Sequence, residues 1–274
     1  MATEQKIPQF DKHFAFLDRF IQELVEEFQA GHLSSWDELE MRCDLFYTPA
    51  VMDAIEGKAP GWKMMSSYTG GITRTHVTCV FLGMYTLKQF QSLSFEEKQI
   101  AKWIVLFHDI GKFHIQGKKD TLHAIKSAVI AAKSLPGLGF PVTDRYQTLI
   151  EDWSASSLAA YIPEEHFLKP DNQKLPGILA GIDELFGEHS PASVIVKVIL
   201  LHISLAVDKN YPTPSPLTDH EIKQMIDAQW LPLLIVMYLA DNDGWSLFHP
   251  DFRNQQQRDT LEAFKTIQNL VGPA

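Results

Sequence analysis

The sequence predicts an all-α protein. Helical start and stop signals recur along almost the whole chain, apolar residues repeat at three- and four-residue steps, and alternating strand patterns joined by hairpin turns are hard to find. With 274 residues, 45% hydrophobic and 21% charged, the chain has the material for a sizeable core, and disorder is not expected.

The elements follow in order. Phe10, Phe14, Leu17, Phe20, Ile21, Leu24 and Phe28 form one helical stripe that stops at Gly31, a C′ glycine. Ser35 and Glu38 in SWDE read as a capping box opening a second helix, and Thr48-Pro49 as a cap followed by proline at the first helical position. Ser94 and Glu97 open the helix that runs to His108, and Gly111 is the expected helix end. Ser190-Pro191 starts a helix expected to run on through ASVIVKVILLHISLAV, and Thr218 and Glu221 form a further capping box. Three loops stand between these elements, at 57–71, 111–120 and 208–219, and none has the composition of a linker. No internal repeat is found, so the chain reads as one domain, 71–274, carrying an N-terminal helical extension over 1–70.

Charge and cysteine content exclude several function classes. Thirty-four acidic against twenty-four basic residues give a net charge of −10, which disfavours long duplex nucleic acid as a partner but leaves a small phosphorylated ligand open. Cys43 and Cys79 form neither a disulfide framework nor a C-x-x-C site, and no signal peptide is recognised, so a reducing, cytoplasmic setting is expected. The longest apolar run, at 231–240, is half the length a bilayer requires and contains a proline, so no membrane partner is expected.

The chemistry concentrates in WIVLFHDIGKFH, residues 103–114, where an apolar helix ends in His108 and Asp109 side by side. Imidazole and carboxylate together suit hard or borderline divalent metals, and a bound ion stabilises both groups in an apolar setting. Adjacent helical residues point about 100° apart, so both reach one ion only at a helix end. Further candidate ligands sit inside apolar helical runs: His76 in RTHVTCVF, His123 in TLHAIKSAV, His202 in ILLHISLAV and Asp241 in YLADNDG. The alternative for His123 and His202 is a core histidine bonded to a backbone carbonyl.

The order His76, His108-Asp109 followed by Ile-Gly-Lys, then Asp241 resembles the HD superfamily of metal-dependent phosphohydrolases over roughly residues 70–245, and HDIGK is its most specific piece. HDIGK followed by LHAIKSA is also similar to the HD module of bacterial tRNA nucleotidyltransferases, whose polymerase portion this sequence lacks. The resemblance implies an HD-type helical bundle in which His76, His108, Asp109 and Asp241 hold one divalent metal (Mn, Mg, Fe, Co, Ni or Zn), and binuclear members add two histidines matched by His123 and His202. The 123–202 gap is long and contains an apparent insertion at EHFLKPDNQKLPG. The HP signature of the cyclic-di-GMP phosphodiesterase branch is missing.

The implied activity is hydrolysis of a phosphomonoester or phosphodiester, of a nucleotide or a short nucleic-acid end. Asp109 then bridges metals and orients the nucleophile. Lys112 neutralises phosphate, although a helix C-terminus also welcomes a cation for structural reasons. Arg74 either reaches the phosphate or pairs with a surface acid. An HD-fold di-iron oxygenase acting on a small organic substrate is the alternative activity, and a sensor with a vestigial site the non-enzymatic one. Lys118 and Lys119 form a local positive patch, read by default as a solvated loop. His114 stands close enough to the motif to face substrate. His13, His32, His166, His189, His220 and His249 read as surface residues, Cys79 as a core residue, and the oligomeric state is not legible.

Overall fold

The computed structural model describes residues 7–113, 120–163, 165, 168–207 and 212–273. Among these the chain is all-α apart from one two-stranded ribbon. The helices are α1 Phe10–His13, α2 Ala15–Gln29, α3 Trp36–Phe46, α4 Pro49–Glu56, α5 Trp62–Ser66, α6 Ile72–Thr86, α7 Lys88–Ser92, α8 Phe95–Phe107, α9 His123–Ser134, α10 Tyr146–Leu158, α11 Leu175–Phe186, α12 Pro191–Leu201, α13 Asp219–Met225, α14 Leu231–Ser246 and α15 Pro250–Val271.

The caps act largely as read. Ser94 and Thr218 form complete capping boxes with Glu97 and Glu221, while Thr48 and Ser190 accept from Val51 and Ser193 ahead of a proline in the first turn. Ser35 accepts from the Glu38 amide, but the Glu38 carboxylate turns to the amide and hydroxyl of Ser34, so the reciprocal half of that box moves one residue upstream. The first stripe is two helices, because Phe14 (φ −131°, ψ 46°) breaks it; Gly31, at φ +73°, stands where the left-handed C′ residue was expected. The helix from Ser190 stops at Leu201 instead of continuing through residue 207, with His202 as its cap.

The core helices are α6, α8, α9, α12 and α14. α14 packs most extensively on α6, α12 lies across α9 and α8, and α8 touches α6 and α14. Glycine sets the α6–α14 distance. A Cβ on Gly83 would lie 2.5 Å from the Asp243 Cβ, and one on Gly244 would lie 2.5 Å from the His76 ring. Asp243, fully buried between these helices, is held by Arg253 and Gln257 of α15.

The N-terminal helices share this core. Phe10, Phe14 and Trp103 pack ring against ring, Phe10 donates its amide to Gln99, and Asp18 receives both Lys102 (2.7 Å) and the Tyr85 hydroxyl (3.1 Å). The 123–202 gap holds α10 and α11, packed on each other and on α9 and α12. Between them Tyr161–Pro163 (β1) pairs antiparallel with Leu168–Pro170 (β2), so the apparent insertion supplies the second strand of a ribbon whose first strand precedes it. Thr121 donates its hydroxyl to the Leu168 carbonyl and accepts the Tyr161 hydroxyl on its backbone carbonyl (3.2 Å), so the ribbon props the chain just before His123.

Candidate metal centre

Helix ends deliver most of the site. His108 and His202 are the C-caps of α8 and α12, His123 opens α9, His76 lies in the second turn of α6, and Asp241 lies within α14. These places bring together all six residues singled out as metal ligands. His76, His108 and Asp241 form one group, and Asp109, His123 and His202 a second, with the donor atoms of each within 4.8 Å of one another.

Asp109 joins the groups. Its Oδ1 lies 3.4 Å from His123 Nε2, and its Oδ2 lies 3.5 Å from His76 Nε2 and 3.7 Å from His108 Nε2. In the first group Asp241 Oδ1 is 3.0 Å from His76 Nε2 and 3.7 Å from His108 Nε2; in the second the Nε2 atoms of His123 and His202 are 3.2 Å apart. Donors about 2.1 Å from a common ion stand roughly 3.0–3.4 Å from one another in octahedral or tetrahedral arrangement; the Asp241–His76, His123–His202 and Asp109–His123 separations fall in that range, and His108, 3.7 Å from both carboxylates, stands a few tenths of an ångström wider.

Second contacts fix the rings. Nδ1 of His108, His123 and His202 donates to the carbonyls of Val105, Asp120 and Ile199, each three residues upstream. A carbonyl only accepts, so a proton sits on Nδ1 of each ring and Nε2 is the nitrogen aimed inward. Asp120 is also buried and takes the amides of Phe113 and Leu122 on its carboxylate, pinning both ends of the 113–122 segment. Nε2 of His108 is buried without a hydrogen-bond partner among the described residues. Such an atom, in a set of four imidazoles and two carboxylates with no thiolate, fits Mn²⁺, Fe²⁺, Co²⁺, Ni²⁺ or Zn²⁺; Mg²⁺, which prefers oxygen ligands, fits worst.

The charges are arranged for a cation. Burial acts to raise the Asp109 carboxyl, but Lys112 and the histidines outweigh it and hold the group well below the usual carboxylate range; Asp241 is held down in the same way by His108 and His76. Burial lowers His123, and burial together with the His123 ring pushes His202 down to about 3, so both are neutral. His108 and Lys112 move up, since Asp109 and Asp241 outweigh their burial.

Lys112 donates to Asp109 Oδ2 at 2.7 Å and also lines a cavity of about 550 Å³ that opens on His123, His202 and Asp241. The remaining lining is mainly apolar, with Leu205, Val207, Tyr238 and Phe252. Arg74 is engaged elsewhere. It pairs with Asp44 of α3 and lies 5.2 Å from the Tyr47 ring, outside the cavity lining.

Gly111 does not end α8, which stops at Phe107. It lets the turn at 108–111 approach α9, where a Cβ would meet Ser127 N at 2.6 Å, and its amide donates to the Ser127 hydroxyl. His32, His189, His220 and His249 are exposed and His13 half-buried, all apart from the cluster, and Cys79 is buried with its thiol on the Asp243 carbonyl. His114, Lys118, Lys119 and His166 lie outside the described residues. Trp245, stacked on His76, and Trp36, stacked on Trp245, are site neighbours the sequence reading missed. The only signal was Trp245's position four residues after Asp241, one helical turn on.

No protein-family model, no curated protein and no solved structure matches the chain. No described helix is long and apolar enough to cross a membrane.

Proposed function

We propose that this chain is a metal-dependent phosphohydrolase of the HD type, acting on a small phosphorylated substrate such as a nucleotide. The observation that carries the reading is the convergence of two three-donor groups joined by Asp109, beside a cavity into which Lys112 projects. The HDIGK motif supplies the preference for phosphate chemistry.

Bound divalent ions would supply Lewis-acid activation of water and neutralise charge on the phosphoryl group. The protein's own contributions follow from the geometry. His76, His108 and Asp241 would hold one ion, His123 and His202 a second, with Asp109 offering one oxygen to each group. Lys112, kept charged by Asp109 and Asp241, binds a phosphate oxygen from the cavity side, giving up its bond to Asp109 Oδ2 where that oxygen takes an ion. The apolar wall receives the remainder of the substrate and limits water. Arg74, committed to Asp44, takes no part in this assignment. A cytoplasmic setting belongs to the same reading, supported by the free, buried Cys43 and Cys79.

A di-iron oxygenase is the second reading, favoured by the histidine-rich donor set and the apolar cavity wall. One experiment separates them. Protein purified without added metal is analysed for metal, then assayed with phosphomonoesters and phosphodiesters, nucleotides included, alongside oxygen uptake. Phosphate or phosphoester cleavage dependent on added Mn²⁺, Co²⁺ or Zn²⁺ is the expected result; two irons with oxygen consumption and no cleavage would overturn it.

A further inference from the structure

Three of the four clustered histidines are oriented by an Nδ1 bond to a carbonyl three residues upstream, and His76 is not. Its Nδ1 is buried and meets no acceptor among the described residues. The ring is instead confined from the side. Trp245 lies against it with centroids 4.3 Å apart and planes 17° from parallel, and the Gly244 backbone closes in so tightly that a Cβ there would sit 2.7 Å from Nδ1. Trp245 in turn stacks on Trp36, the first residue of α3, at 5.5 Å and 10°. Yet Trp245 is 49% exposed and lines the cavity, an expensive place for an indole that served only packing.

We propose that Trp245, backed by Trp36 from the N-terminal region, is the positioning residue for His76: the two-indole stack does for this ligand what backbone carbonyls do for His108, His123 and His202. The inference rests on the metal-centre reading above. A histidine ring keeps its Nε2 aimed at an ion only if its rotation is restrained, and a flat partner restrains the ring plane as a hydrogen bond would. It also gives α3 a role at the site, since Trp36 reaches it through Trp245.

The test is equilibrium binding of Mn²⁺ to chelator-stripped protein by titration calorimetry, in wild-type, Trp245→Ala, Trp245→Phe, Trp36→Ala and His76→Ala, with thermal melts of each stripped protein. Trp245→Ala is expected to weaken, by about 10–100-fold, the same site that His76→Ala removes, and to leave the other unchanged. Trp245→Phe restores most of the affinity, and Trp36→Ala weakens that site by a smaller factor. Unchanged affinity in Trp245→Ala overturns the proposal. So does equal weakening of both sites with a lowered melt and no rescue by phenylalanine, the mark of a merely structural role. Wild-type protein that binds no Mn²⁺, Co²⁺ or Zn²⁺ overturns the metal reading itself, a result distinct from both.

Discussion

The Nε2 atoms of His123 and His202 face each other across 3.2 Å, although the residues stand 79 positions apart in the chain. Each ring gives its Nδ1 proton to a carbonyl, so each Nε2 presents a lone pair, and burial keeps both rings neutral. Two buried acceptors aimed at one point repel unless a cation lies between or beside them. Asp109 Oδ1, 3.4 Å from His123, adds a third acceptor to the same point. A core histidine satisfied by a carbonyl, the bland alternative for both residues, accounts for Nδ1 and leaves Nε2 unexplained.

The metal should therefore stabilise the fold. An ion at 100 times its dissociation constant contributes about 2.7 kcal/mol through mass action, which raises the melting temperature by about 5 °C or more for a chain of this size. Stripping with chelator and restoring with Mn²⁺ or Zn²⁺, followed by calorimetry, checks it. Identical melts with and without metal would remove the thermodynamic case for the site.

His123→Ala and His202→Ala are each expected to lower metal content from two per chain to about one while the helical circular dichroism persists, because the His76, His108 and Asp241 group survives. Their activities should fall together, since a two-ion clamp fails as a unit. Metal analysis of both variants showing two ions per chain returns the pair to the core.

Lys112→Met should keep metal stoichiometry and lose turnover by about 100-fold, as expected for one charged group that acts on the reacting phosphoryl. Its bond to Asp109 makes a modest loss of metal affinity tolerable, but not loss of an ion. Unchanged kinetics would make Lys112 a helix-end cation, the structural reading of its position.

Much of this arrangement was legible in the sequence, for identifiable reasons. Capping chemistry is local, so Ser94, Thr218 and Ser190 announce their helices within four residues. The clustered histidines and aspartates were legible because polar groups in apolar helical runs demand a partner. What escaped was set across helices. Gly111 looked like a helix end and is a contact with α9; Gly83 and Gly244 fix how closely α6 and α14 approach; Trp36 reaches Trp245 from 209 positions away (245 less 36). No local pattern encodes such contacts. Arg74 shows the same limit, since its partner Asp44 belongs to another helix.

Gly244→Ala turns one of these contacts into a measurement. The new methyl group would overlap the His76 ring and Val80, so the variant should lose about 1–3 kcal/mol of stability and the ion of the His76 group with it. Gly83→Ala, which meets Asp243 instead, should lose comparable stability and keep its metal better. Denaturant melts and metal analysis of the two side by side check the distinction; equal metal loss in both would mean that helix spacing, not the His76 contact, governs the site.

Alkaline pH should unfold the protein earlier than its charge alone suggests. Burial pushes the Cys43 thiol from 9.0 up to about 11 and raises Cys79 well above its ordinary value, and it also raises the hydroxyls of Tyr47, Tyr85 and Tyr238. Each group has a folded-state pKa above its unfolded one, so it contributes stability that is intact below the unfolded value and is lost as pH rises toward the folded value. The thiols act first, from about pH 9, and the tyrosines follow from about pH 10. Tyr238 matters most among them, because its hydroxyl donates to the Leu201 carbonyl and accepts the Leu205 amide, holding the chain on both sides of His202. Urea midpoints should be flat from pH 7.5 to 8.5 and fall steadily from pH 9 to 11, and Cys43→Ala should flatten the first part of that fall. A midpoint unchanged through pH 10.5 would mean that these groups ionise as readily in the folded protein as outside it.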